Sequence, residues 1–69
     1  GPNRYSVTVD LLRRKTGATK EEICEVYEKQ FGDGKMTTVT AALSAVRRRE
    51  KGKVTKTKSE KRGVVYNLA

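Results

Sequence analysis

Apolar positions keep a helical spacing as far as about residue 50 and then change to alternation. The clearest helical stretch begins at "TKEE", Thr19 to Glu22. There the threonine hydroxyl can accept from the Glu22 amide while the Glu22 carboxylate reaches back to the threonine amide. Behind it Ile23, Val26, Tyr27, Gln30 and Phe31 fall on one side of a helix, and Glu21, Glu22, Glu25 and Glu28 on the other. Gly32 and the turn signal "GDG" predict its end. Acidic first turns suit the positive end of the helix dipole and repel phosphate, so this helix is expected to support its neighbours rather than touch a polyanion.

A less tidy helix is predicted before it, Ser6 to Lys15, with Ser6 as the cap, Leu11 and Leu12 toward the core and Gly17 as the stop. A third is predicted from Thr37 or Thr38, either of which can cap, to about Lys51, with Gly52 following. Its apolar arc is narrow: Val39, Ala42, Leu43 and Val46. The opposite arc holds Thr37, Thr40, Ala41, Ser44, Arg47, Arg48 and Lys51. A helix that needs only solubility usually mixes Glu with Lys, whereas Glu50 is the only acid here.

From Lys53 the alternating "KVTKTK", the turn-rich "SEKRG" and the closing "VVYNLA" predict a β-hairpin. Val64, Tyr66 and Leu68 would share one face and pack with Val54 on the helices. Lys56 and Lys58 would lie along the hairpin, with Lys61 and Arg62 at an exposed cationic tip. The expected fold class is α+β, a three-helix bundle with a C-terminal two-stranded β-hairpin.

Composition adds size and charge. The 69 residues make one small domain with a limited core. Sixteen Lys and Arg against eight Asp and Glu, with no histidine, give a net charge of +8. Residues 35–69, with ten basic and two acidic residues, carry an excess equal to that of the whole chain, while residues 19–34 are net acidic. Segregation of this kind makes a face that attracts polyanions. One cysteine, Cys24, cannot pair within the chain and reads as a small apolar residue on a helix flank, which fits a reducing compartment. No signal peptide or membrane-length apolar run is visible. Gly1-Pro2 has the form of a remnant left by tag removal. Residues 1–5 are therefore expected to be tag remnant and N-terminal arm, and residues 6–69 the domain.

Three helices followed by a hairpin resemble the winged helix-turn-helix family of DNA-binding domains. The resemblance is carried by "GATKEEICEVY" (Gly17–Tyr27), "TTVTAALSAVRRREKGKV" (Thr37–Val54) and "RGVVYNL" (Arg62–Leu68), within a span of roughly Ser6 to Leu68. The chain departs from the tightest pattern in its interhelical linker, "FGDGKM", and lacks the paired prolines and tryptophan of the Z-DNA-binding members. The resemblance implies that the third helix enters the major groove of double-stranded DNA and that the hairpin, or wing, reaches phosphate or the minor groove. Thr37, Thr38, Thr40, Ala41 and Ser44 would then face base edges or phosphates, with Arg47 and Arg48 beside them. Short side chains allow close approach, methyl groups can meet thymine, and arginine can pair bidentately with guanine. Lys35, Lys56, Lys58, Lys61 and Arg62 suit phosphate better, and Arg62 could alternatively enter a narrow minor groove.

Other classes fare worse. There is no histidine, Gly-rich phosphate loop or framework of paired carboxylates, so no enzyme, cofactor, metal or small-molecule ligand is expected. Single-stranded RNA readers need free aromatics, and only Tyr5 is expected to be uncommitted to the core. The alternative is a winged-helix docking module of a larger nucleic-acid-associated protein, using the acidic second helix. The leading expectation is a DNA-binding domain of transcriptional regulation or another DNA transaction, acting as a homodimer or as part of a longer chain. Its expected place is the nucleoid in prokaryotic cytoplasm, or the nucleus of a eukaryote.

Overall fold

The computed structural model describes residues 1–69. It contains α1 (Arg4–Arg13), α2 (Lys20–Phe31), α3 (Met36–Arg49), β1 (Val54–Ser59) and β2 (Gly63–Leu68). The α+β order is the expected one, and four helix boundaries differ, among them the end of α1, which falls at Arg13 rather than Lys15.

Asn3, not Ser6, caps α1. Its Oδ1 accepts from the Ser6 amide at 2.8 Å while Ser6 Oγ accepts from the Asn3 amide at 3.1 Å. Asparagine is as good a cap as serine, and the earlier start places Arg4 and Tyr5, expected in an arm, within the helix. In α2 the expected box forms: Thr19 Oγ1 accepts from the Glu22 amide at 3.1 Å, and Glu22 Oε1 accepts from the Thr19 amide at 2.9 Å. Gly32, at φ 68°, ends the helix with its amide on the Glu28 carbonyl.

Neither Thr37 nor Thr38 caps α3. The helix starts after Lys35 without a side-chain cap and ends at Arg49, so Lys51 lies beyond it. Asp33 organises the approach, accepting from the Lys35 amide at 3.3 Å and from the Thr38 hydroxyl at 3.1 Å. The longer linker is folded back on α2, where the Gly34 amide donates to Glu28 Oε1 at 3.0 Å.

Leu12, Ile23, Tyr27, Val39 and Val46 are completely covered at the centre, with Val7, Leu11, Ala18, Leu43, Tyr66 and Leu68 around them. Full burial of such a side chain is worth roughly 1.5–3 kcal/mol. Two of the buried hydroxyls, on Thr8 and Tyr27, hydrogen-bond to one another and reach the Arg4 carbonyl at 2.7 and 3.0 Å. Burial raises the Tyr27 pKa, so the phenol stays neutral and able to donate.

The hairpin pairs Val54 with Leu68, Lys56 with Tyr66 and Lys58 with Val64. Directly opposed residues share a face, so Lys56 and Lys58 overhang on the same side as Tyr66 and Leu68. Val64 does not pack as expected: it is 39% exposed, near the turn, whereas Val65 on the other face is buried. That other face also carries Asn67, whose Nδ2 donates to the Arg14 carbonyl at 3.2 Å. Beyond β2 the sheet gains one rung, a bridge between Ala18 and Tyr66 with hydrogen bonds of 3.0 and 2.8 Å.

Candidate nucleic-acid interface

The outward surface of α3 is built by its own periodicity. Val39, Leu43 and Val46 bury one side, which turns Thr37, Thr40, Ala41, Ser44, Arg47 and Arg48 to solvent. Thr37, Thr40, Ala41, Ser44 and Arg48 recur at intervals of three and four, so they form one stripe along the helix. The stripe is small and neutral over its first two turns and cationic at its end. No acidic residue occurs anywhere in α3.

Thr38 stands apart from this stripe. It is half-buried and donates to Asp33 Oδ2, so its place among the groove-facing residues is corrected to one that fixes the start of α3. The Asp33 pKa is lowered, first by the Lys35 amide and then by the Thr38 hydroxyl, so the carboxylate remains an acceptor at neutral pH. Arg4 approaches the same carboxylate at 3.6 Å and lies over the Phe31 ring at 4.8 Å. This side of α3 is therefore tied to both α1 and α2.

Only two ion pairs form among the sixteen Lys and Arg, Arg4 with Asp33 and Arg62 with Glu22. Lys35, Arg47, Arg48, Lys56, Lys58 and Lys61 are exposed and unpaired, as are Lys51 and Lys53 between α3 and β1. Lys56 shares a shallow cleft with Lys20, Glu21 and Arg62, where the start of α2 meets the hairpin. Arg49 is turned aside: its guanidinium lies 5.2 Å from the Tyr5 ring centre. Tyr5, expected to be free, is half-buried under that contact.

Arg62 is the main correction. From the hairpin turn its guanidinium donates to Glu22 Oε1 at 2.6 Å and Oε2 at 3.1 Å, and to the Thr16 and Gly17 carbonyls at 2.7 and 3.4 Å. It is not a free tip for phosphate or a minor groove, because four of its five N–H donors already meet oxygen. The Arg62 hydrogen bonds, followed by the Thr19 amide, lower the Glu22 pKa, and Glu22 raises that of Arg62. Glu22 thus caps α2 and holds the hairpin. The capping motif is visible in sequence, but its partner forty residues away is not.

Another cation group, Arg13, Arg14 and Lys15 at the end of α1, is exposed and unpaired. The sequence signal was the bare run "RRK" in an element otherwise assigned to packing. No helix is long and apolar enough to cross a membrane. Comparison with protein-family models, with characterised proteins and with solved structures finds no match for the chain.

Proposed function

We propose that the domain binds double-stranded DNA, with the outward face of α3 in the major groove and the hairpin lysines on phosphate. The observation that carries this reading is the acid-free stripe Thr37, Thr40, Ala41, Ser44 and Arg48, flanked by cations that have no acidic partner. A 14-residue helix is about 21 Å long, and a B-form major groove about 12 Å wide admits it. Small side chains on the leading turns let the helix axis approach the base edges. Arg47 and Arg48 supply bidentate donors where the helix meets the groove wall.

The phosphate contacts fall to Lys35, Lys56, Lys58 and Lys61, with Lys51 and Lys53 between the two elements. Flexible ammonium groups position a protein on DNA without reading its sequence. The setting that suits such a module is transcriptional regulation or another DNA transaction, with a second copy or further chain supplying affinity. A docking role for the acidic face of α2 has less support, because the largest unpaired charge on the molecule is positive.

The test is a titration of random and A·T-rich duplexes at several salt concentrations, read by fluorescence anisotropy. Neutralising about five to eight phosphates gives log affinity against log salt a slope of about −4 to −7. A flat response would sink the reading. Arg48→Ala should change the preference among sequences, whereas Lys58→Ala should weaken all duplexes alike.

A further inference from the structure

Arg13, Arg14 and Lys15 are three consecutive exposed cations without an ion pair. The helix dipole accounts for one of them, since only Arg13 lies in the last turn of α1 and the effect fades beyond that turn. The other two need a different reason. Their backbone is firmly held: Asn67 donates to the Arg14 carbonyl at 3.2 Å, Arg62 to the Thr16 carbonyl at 2.7 Å, and Ala18 pairs with Tyr66. Gly17 lies so close to β2 that an added Cβ would be 2.5 Å from the Tyr66 carbonyl oxygen.

These attachments run along β2 from Asn67 to the hairpin turn, and on the α1 side they use main-chain atoms alone. The segment is fixed while the Arg13, Arg14 and Lys15 side chains remain unengaged, just before the carbonyls that Arg62 reaches from the hairpin turn. A rigid backbone presenting unpaired cations loses little freedom on meeting phosphate, which is the arrangement that favours binding.

We propose that the end of α1, Arg13 to Lys15, is a second phosphate-binding site for double-stranded DNA, joined to the first through the hairpin turn. It rests on the DNA-binding reading above. The domain measures 28 Å along its longest axes, and duplex DNA carries one charge per about 1.7 Å. A duplex spanning the domain carries about sixteen phosphates over its two strands, enough to engage a second cation group beside those of α3 and the hairpin.

The experiment compares the wild-type chain with Arg13→Gln/Arg14→Gln/Lys15→Gln on a duplex of about twenty base pairs, as log affinity against log salt. Loss of three phosphate contacts should reduce the steepness by about 2.7, so that the deficit of the variant shrinks about fortyfold between 50 and 200 mM salt. Lys29→Gln, on the exposed side of α2, should leave the slope unchanged. Circular dichroism checks the fold. Because Arg14 also borders a groove with Val7 and Leu11, a misfolded triple variant is replaced by Arg13→Gln/Lys15→Gln, with an expected change of about 1.8. A steep wild-type slope that the folded variant shares overturns this site and leaves the α3 reading standing. A flat wild-type slope overturns both.

Discussion

Lys56 and Lys58 offer the sharpest test of how the hairpin works, because Arg62 nearby provides a contrast of equal charge. Both lysines project from β1 beside the buried face, are exposed, and form no ion pair. If each neutralises one phosphate, Lys56→Gln/Lys58→Gln should reduce the steepness of log affinity against log salt by about 1.8. Between 50 and 200 mM salt, a fourfold change, the affinity deficit of the variant should then shrink about twelvefold. Arg62→Gln removes the same kind of charge, but one already matched by Glu22 at 2.6 Å and by two main-chain carbonyls. Its slope should match wild type, while its melting temperature should fall as the hairpin loses its hold on α2. Anisotropy titrations and thermal melts on the three proteins read both quantities. A slope lowered by about 0.9 in Arg62→Gln with unchanged melting would show a phosphate ligand in solution and refute the staple. An unaltered slope in the lysine variant would remove the hairpin from the DNA contact.

Two further outcomes test the framework that holds this surface. Gly17→Ala should cost at least about 2 kcal/mol in urea unfolding, because its φ of 62° is strained for alanine and the new Cβ would press on main-chain oxygen. Gly32→Ala, at φ 68° but facing open space, should cost about 1 kcal/mol, and equal losses at the two sites would remove the close-approach argument. The pH response follows from Glu22, whose folded pKa lies below its ordinary value near 4.5 through the Arg62 hydrogen bonds and then the Thr19 amide. A depressed carboxyl pKa contributes stability that is present above the unfolded value and lost as pH falls through the folded one. Asp33 acts in the same direction from an ordinary value of 3.8. Thermal melts from neutral pH down to about pH 3 should therefore show a smaller acid loss for Glu22→Gln than for wild type, and identical losses would count against the assignment.

Local chemistry set what could be read from the chain alone. The Thr19–Glu22 box, the apolar arcs of α2 and α3, the alternation after Lys53 and the charge segregation all depend on residues within a few positions of one another. They give three helices, a hairpin and a basic half, and they place Thr37, Thr40, Ala41, Ser44, Arg47 and Arg48 on one exposed face. Where several nearby caps competed, periodicity alone did not choose between them. That choice still lay within a turn or so of chain: Asn3 exchanges hydrogen bonds with Ser6, and Asp33 takes up the Thr38 hydroxyl.

Only the tertiary structure decided which cations are free. Arg62, Arg49 and Lys58 look alike in sequence, yet one is bound to Glu22, one lies over Tyr5 and one has no partner. Likewise the setting of "RRK" is visible only in the fold, where Asn67 and Arg62 hold the Arg14 and Thr16 carbonyls and Ala18 pairs with Tyr66. Periodicity specifies which way a side chain points along its own element. Whether it then finds an oxygen, a ring or water depends on contacts forty or more residues away, which a one-dimensional pattern does not encode.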